Sequence, residues 1–166
     1  MRSFIAQSAI PPRNMAEHVG DGMSLLGLDF GEKRIGVARS DELNWMAHPV
    51  GFIEHRSEEH AVREIQKLID EFRIKKIVIG LPKTLKGAAG TQAEKVLSFS
   101  NRLSARISCP IVTWDERLTT AQAERALIAQ DVSRAKRRVK RDAIAAEIML
   151  QSYLDFVRQK KENEHV

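Results

Sequence analysis

Three acidic residues stand where an α/β fold could bring them together, namely Asp29, Glu116 and Asp142. Asp29 directly follows the apolar run Leu25–Leu28, and Glu116 comes just after the apolar run Ile111–Trp114. In open α/β sheets, ligands bind at the carboxyl ends of parallel strands. If these two runs are parallel strands, both carboxylates therefore lie at the same edge of the sheet.

The third carboxylate, Asp142, is placed by helical spacing. It shares one stripe, at intervals of three and four residues, with Ala146, Met149, Tyr153 and Val157. The spacing predicts that Asp142 lies at the start of a helix and on the side that packs inward. An inward Asp at that point could reach the sheet edge that carries the other two carboxylates.

Converging carboxylates point to metal-dependent phosphoryl chemistry. Hard divalent cations bind through several carboxylate oxygens. Two such ions ~3.5–4 Å apart can activate a water molecule and stabilise a leaving oxygen. Without a cation the negative charges would repel one another, so the cluster would be costly to form.

Each acidic residue also has a simpler interpretation. Asp142 could cap a helix, and Asp29 could form a turn with its own backbone. Glu116 could form a surface ion pair with Arg117, which would contribute little to stability. Asp115 competes with Glu116, because strand alternation puts only one of them on a given face.

The charge of the chain is concentrated in one interval. The 166 residues carry a net charge of +5, and residues 134–141 (RAKRRVKR) hold six bases and no acid. Without that interval the chain has 21 bases and 22 acids. A local basic run favours a phosphate-rich partner, although a solvated loop is an alternative.

The basic residues could have two tasks if the phosphate-rich partner is a nucleic acid that is cleaved. Arg34 and Arg117, beside the carboxylates, are candidates for contacting the scissile phosphate, with charge balance inside the acidic site as the alternative. The flanking backbone would be bound, without reading of sequence, by Lys136, Arg137, Arg138, Lys140 and Arg141.

The elements that must position these groups follow from hydrophobic periodicity and capping signals. The predicted order is three strands (Leu25–Leu28, Ile35–Ala38, His48–Ile53), a helix (Ser57–Phe72), a strand (Lys76–Gly80), a helix capped by Thr91 and Glu94 whose apolar stripe includes Val96, Leu97 and Leu103, a strand (Ile111–Trp114), a helix (Thr119–Gln130) and a last helix from Asp142 to near Lys160. This order predicts an α/β fold. Its mixed five-stranded sheet has three antiparallel strands, then parallel crossovers, with helices on its faces.

Length and composition limit the organisation of the chain. Residues 1–22 lack a sustained period and are interpreted as a flexible extension, which leaves residues 23–166 as one domain. The single Cys109 cannot form an internal disulfide, which favours a reducing, cytoplasmic location. No apolar run approaches the ~20 residues that span a bilayer, so no membrane partner is expected.

Four motifs together resemble the YqgF/RuvX family. The resemblance covers Ser24 to about Arg158, and its motifs stand in the family's order and spacing. They are DFGEKRIGVA at residues 29–38, IGLP at 79–82, TWDERLTT at 113–120 and KRDAIAA at 140–146. One segment departs from the family pattern, because residues 83–87 (KTLKG) are basic where the family often has an Asn and an acid.

The resemblance implies an RNase H-like fold and an Asp, Glu, Asp site for Mg²⁺ or Mn²⁺. By position these ligands are Asp29, which would bridge two ions, and Glu116 and Asp142, which would each hold one. It also implies a nuclease that matures the 5′ end of pre-16S ribosomal RNA or resolves Holliday junctions, and we prefer the first. The expected partners are structured RNA, branched DNA and a pre-ribosomal particle, while the oligomeric state is left open.

Two further readings belong to other classes of protein. The chain could be a non-catalytic RNA-binding factor in ribosome assembly, which would have no need of three converging carboxylates. It could also be an actin- or hexokinase-like phosphate-binding domain, but such proteins close two domains over a nucleotide and this chain has room for one.

Overall fold

The computed structural model describes residues 24–82, 90–115 and 134–164, and for residues 134–140 it describes the main chain alone. Within these ranges the elements are β1 (Ser24–Phe30), β2 (Arg34–Ser40), β3 (Ala47–Glu54), α1 (Glu58–Phe72), β4 (Ile74–Leu81), α2 (Gly90–Ser104), β5 (Ile111–Asp115) and α3 (Arg134–Glu164). The helix predicted over Thr119–Gln130 and the predicted extension over residues 1–22 lie outside the described residues.

The strands form one mixed sheet in the order β3-β2-β1-β4-β5. β1 pairs antiparallel with β2, as β2 does with β3, whereas β1–β4 and β4–β5 are parallel pairs. The predicted sheet is confirmed, including the interior place of β4. The carboxyl ends of β1, β4 and β5 consequently share one edge, called here the carboxyl edge, and the β2–β3 turn lies at the opposite, far edge.

Alternate strand residues pack against different helices, because successive side chains in a strand point to opposite faces. Leu26 and Leu28 of β1 lie in the same core as Ile65 of α1 and Phe99 of α2. On the other face a second core contains residues of the sheet and of α3 (Leu25, Ala38, Val78, Trp114, Ala146, Leu150). The side chain of Asp29, four positions after Leu25, belongs to the α3 face.

Helix α1 confirms its predicted start and end. Ser57 caps the amino end, and its hydroxyl accepts a hydrogen bond from the His60 N–H at 3.1 Å. The helix ends at Phe72, where Arg73 takes a left-handed conformation (φ 52°) and its N–H donates to the Ile69 carbonyl. The two ends therefore follow the rules of helix capping.

Helix α2 departs from the prediction in two ways. It includes Gly90 as its first residue, so Thr91 stands inside the helix instead of capping it. The buried stripe is Val96, Phe99 and Leu103, while Leu97, which was predicted to face the core, is 44% exposed. Phe99 lies one helical turn from both Val96 and Leu103 and contacts the ring of Phe30 at 4.7 Å between centroids. This contact explains why α2 turns Phe99, and not Leu97, toward the core.

Helix α3 corrects the prediction for the basic interval. We expected this interval to be a loop that ends where Asp142 opens the last helix. Instead, the helix begins at Arg134, so the basic interval forms its first turns and Asp142 stands in the third turn. The capping interpretation of Asp142 is therefore wrong. Its predicted inward stripe is confirmed where Ala146 and Met149 are buried.

The far edge ties α3 to the β2–β3 turn. Gln151 accepts a hydrogen bond from the Ala47 N–H at 2.8 Å and donates one to the Trp45 carbonyl at 3.0 Å. The Arg158 guanidinium lies over the exposed Trp45 ring, 4.9 Å from its centroid. These contacts fix the second half of α3 on the sheet. Among the helices described, none has the length and apolar character needed to cross a membrane.

Candidate active site

Asp29 lies near the end of β1 at the carboxyl edge, where it pairs across the ladder with Gly36 of β2. Its side chain is partly buried on the α3 face. Burial, and after it the negative charge of Asp142, raise the pKa of Asp29 from 3.8 to about 6. The two carboxyl groups are therefore close enough to repel each other, although they stand in the first strand and the last helix.

The backbone of α3 comes very close to β2 at Asp142. A Cβ atom placed on Gly36 would lie 2.0 Å from the Asp142 carbonyl oxygen and 2.7 Å from its carbonyl carbon. Only a residue without a side chain leaves room for this approach. Because Gly36 is also the ladder partner of Asp29, one glycine lies beside both carboxylate-bearing residues.

Arg34 stands next to this pair at the first position of β2. Its Nη1 lies 3.5 Å from Oδ2 of Asp142, and its guanidinium lies over the Phe52 ring, 5.0 Å from the centroid. The side chains of Arg34 and Asp142 are about one-third exposed, at 32% and 30%. Nη1 itself is buried and makes no hydrogen bond to the residues that the structure describes. The guanidinium is thus held beside Asp142 with donor capacity to spare.

The third predicted carboxylate, Glu116, lies outside the described residues, as does Arg117. The strand that leads to Glu116 is described as far as Asp115. Trp114 packs in the core beneath α3, so the pleat of β5 turns Asp115 toward the opposite face of the sheet. Asp115 is consequently directed away from Asp29 and Asp142.

The basic interval starts α3 immediately before Asp142. Arg141 is exposed, and residues 136–140 follow the helical backbone at the carboxyl edge of the sheet. The structure thus places the main chain of Lys136, Arg137, Arg138 and Lys140 within two turns of Asp142, while it does not describe their side chains.

Two contributors to the site were missed by sequence reasoning. Gly36 was read as part of an apolar strand, and Phe52 as part of the third predicted strand. A glycine inside a strand often marks a place where another backbone approaches closely, so that signal could have identified Gly36. The contact of Phe52 with Arg34 depends on the β2–β3 register, in which Gly36 pairs with Phe52, and has no local signal.

The chemistry of the described donors fits a hard divalent cation. Two carboxylates that repel each other in a partly buried place gain from a cation between them, and carboxylate oxygens are suitable ligands for Mg²⁺ or Mn²⁺. Among residues 24–82, 90–115 and 141–164 no group of three or more His, Cys, Asp or Glu side chains could hold an ion. The described part of the site therefore supplies two carboxylates.

The sheet order, the two helical layers and the acidic carboxyl edge define an RNase H-like fold. A solved structure supports this class, namely T. thermophilus RuvC in complex with a Holliday junction substrate. It superposes with a TM-score of 0.52 and 10% identity, over 83% of this chain and 96% of that chain. At this identity the likeness establishes the fold alone.

The chain belongs to the RuvX family. The family described as "RuvX: Holliday junction resolvase" matches residues 23–156. A protein of Desulforudis audaxviator named "Putative pre-16S rRNA nuclease" is 47% identical over 80% of this chain and 94% of its own length. A protein of the same name from Clostridium tetani is 46% identical over 83% of this chain and all of its own length.

Proposed function

We propose that the protein is a divalent-metal-dependent nuclease that hydrolyses phosphodiester bonds in the 5′-end maturation of pre-16S ribosomal RNA. The observation that carries the proposal is the meeting of Asp29 and Asp142 at the carboxyl edge of an RNase H-like sheet. The names of the relatives at 47% and 46% identity support the choice of RNA. A role in ribosome maturation also fits the cytoplasmic location that we expect.

Three carboxylates would hold the metal in this proposal. Asp29, Asp142 and Glu116 would together hold the Mg²⁺ or Mn²⁺ ions. The assignment of Glu116 is supported by strand alternation, since a residue two places after Trp114 shares its face if β5 continues. When bound, such ions lower the pKa of an attacking water and stabilise the leaving oxygen.

The remaining tasks fall to basic side chains. Arg34, held over Phe52 and beside Asp142, is suited to contact a phosphate oxygen, because about one-third of its side chain is exposed beside Asp142. Arg117 would act beside it. The first turns of α3 would present Lys136, Arg137, Arg138, Lys140 and Arg141 to the flanking backbone, which would position the substrate without reading its sequence.

A second candidate substrate is a four-way DNA junction, which the family description favours. A direct comparison separates the substrates: a pre-16S leader RNA and a four-way junction are incubated with the protein and Mn²⁺ under the same conditions. We expect cleavage of the RNA. Cleavage of the junction alone would assign the resolvase activity instead.

The experiment that tests catalysis compares Asp29→Asn with a matched control. Asp70→Asn removes the same charge from an exposed position on α1, where Asp70 accepts a hydrogen bond from Gln66. We expect Asp29→Asn to fold, to lose cleavage and to lose calorimetric Mn²⁺ binding, while Asp70→Asn retains both. RNA binding by wild type without Mn²⁺ binding or cleavage would identify a non-catalytic assembly factor.

A further inference from the structure

Gly36 lies in the middle of β2, paired with Asp29 on one side and Phe52 on the other. Its φ is not positive, whereas Gly51 is a described glycine whose φ is positive. Backbone conformation therefore does not require a glycine at this position. A glycine inside a strand weakens it, so the reason for its presence must lie in the space above it.

That space is filled by the backbone of α3. The nearest atoms to a Cβ on Gly36 would be the carbonyl oxygen, the carbonyl carbon and the Cα of Asp142, at 2.0, 2.7 and 3.4 Å. Real Cβ contacts essentially never fall below 3.0 Å. Because these atoms belong to the main chain, no side-chain rotation could relieve the contact, and the helix itself would have to move.

We propose that Gly36 is a positioning residue for the carboxylate pair, because its missing side chain lets α3 bring Asp142 next to Asp29. The proposal rests on the metal-dependent activity proposed above. It assigns to Gly36 no contact with substrate or metal. Its effect passes through the distance between the α3 backbone and β2, which sets how closely Asp142 can approach Asp29.

The expected consequence of a side chain at this position is a displaced carboxylate. In Gly36→Ala the start of α3 must retreat from β2 by about 1 Å, and misplacement on that scale can lower catalysis roughly 100-fold. Asp142 would then hold its ion less well. We expect Mn²⁺ affinity to fall roughly 10- to 100-fold, the range seen when groups that orient metal ligands are lost.

Gly27 provides a matched control on the same helix and the same face of the sheet. A Cβ on Gly27 would lie 2.9 Å from Leu150 Cβ and 3.3 Å from Leu150 Cδ2. The Ala146 carbonyl oxygen would lie at 3.4 Å. Gly27→Ala therefore also crowds α3, but mainly at Leu150, two turns beyond Asp142, and with a much smaller overlap than at Gly36. We expect it to lower Tm while Mn²⁺ affinity and kcat stay close to wild type.

The test measures calorimetric Mn²⁺ binding, kcat and KM for wild type, Gly36→Ala and Gly27→Ala, at a temperature where circular dichroism shows all three folded. We expect Gly36→Ala to lose Mn²⁺ affinity and kcat with little change in KM, since the basic residues that bind the substrate are untouched. Mn²⁺ affinity and kcat equal to wild type in Gly36→Ala would overturn the proposal.

A rescue variant separates positioning from a general loss of packing. Asp142→Glu lengthens the carboxylate side chain, so it should recover part of the Mn²⁺ affinity in the Gly36→Ala background and lower it in wild type. Such opposite effects are the non-additivity expected of coupled sites. Equal losses in both backgrounds would contradict the proposal.

Three outcomes bear on the proposed function and on the positioning role of Gly36. If Gly36→Ala does not fold, the test rests on Asp142→Glu alone. A carboxylate that Gly36 already places correctly should bind Mn²⁺ less well when its side chain is lengthened. Unchanged Mn²⁺ affinity in Asp142→Glu would contradict the positioning role. If wild type binds no Mn²⁺ and cleaves nothing, the proposed function fails and takes the positioning role with it. If wild type is active and Gly36→Ala equals it, the positioning role alone fails.

Discussion

Asp29 lies close enough to Asp142 for the two carboxyl groups to repel each other, although one stands in the first strand and the other in the last helix. Burial of Asp29 is the larger cause of its raised pKa of about 6, and the charge of Asp142 adds to it. A pair of this kind is destabilising when both members are charged and no cation is near. It therefore links protein stability, pH and metal binding.

The first prediction concerns the pH dependence of stability without metal. Because the pKa of Asp29 rises from 3.8 in the unfolded chain to about 6 in the folded protein, the folded state binds the proton more tightly. The stabilisation from the protonated form is complete below about pH 4 and is lost as pH rises through 6. It amounts to at most about 3 kcal/mol.

Urea unfolding in the presence of a chelator checks this prediction. The free energy of unfolding of wild type, compared with that of Asp29→Asn, should decrease between about pH 4 and pH 7, since Asn cannot titrate. Curves that run parallel for the two proteins would show that Asp29 titrates at the same pH in both states.

The second prediction separates two interpretations of Arg34, namely contact with the scissile phosphate and charge balance inside the acidic site. Arg34→Met removes a positive charge 3.5 Å from Asp142, which should strengthen Mn²⁺ binding a few-fold at this partly exposed position. If Arg34 also contacts the scissile phosphate, kcat/KM falls in the same variant. Calorimetry and cleavage assays on one preparation give both values, and unchanged cleavage would leave Arg34 with charge balance alone.

The third prediction separates the far edge of the sheet from catalysis. Gln151→Ala removes the acceptor of the Ala47 N–H and the donor to the Trp45 carbonyl. Leaving the partly buried Ala47 N–H without a protein partner costs ~1–3 kcal/mol, whereas the exposed Trp45 carbonyl can bond to water. Thermal unfolding should show the loss, whereas kcat should not change.

Gln66→Ala is the matched control for Gln151→Ala. Gln66 donates to Asp70 on the exposed side of α1, so its removal should hardly affect Tm. A large fall in kcat for Gln151→Ala at a temperature where the protein is folded would show that the far edge influences the carboxylate pair.

The fourth prediction concerns the basic interval at the start of α3. Replacing Arg137 and Arg138 by Gln should flatten the dependence of log K on log salt by roughly 0.7–0.9 for each phosphate contact that is lost. Lys160→Gln with Lys161→Gln removes the same charge from the other end of α3 and should leave the slope unchanged. Equal slopes for all three proteins would show that the interval does not bind the nucleic-acid backbone.

The sequence was sufficient for the sheet and for most of its order. Apolar runs such as Ile77–Ile79 and the Ser57 cap are local signals, and the structure confirms the elements that they predict. Those signals extend over a few residues, so strand limits were off by one or two positions. Strand ends and a helical stripe also sufficed to select Asp29 and Asp142.

The errors arose where tertiary packing overrides a local signal. The basic interval has no apolar stripe, so it resembled a loop, yet it continues the helix that packs below it. In α2 the large Phe99 took the core position expected for Leu97, because its ring packs against Phe30 of β1. A glycine inside a strand could have indicated a close approach at Gly36, but the approaching helix comes from the other end of the chain, and no short window of sequence contains that information.

The hydrogen bond between Ala47 and Gln151 joins residues 104 positions apart, and the carboxylate pair spans the chain in the same way. Domains begin to fold from the amino end while they are being synthesised. β1 to β3 can therefore assemble early, but Asp29 gains its neighbour only after α3 has been made and has docked. The chain thus passes through most of its own synthesis without a complete pair of carboxylates, so a nascent chain would lack the activity proposed here until α3 has docked.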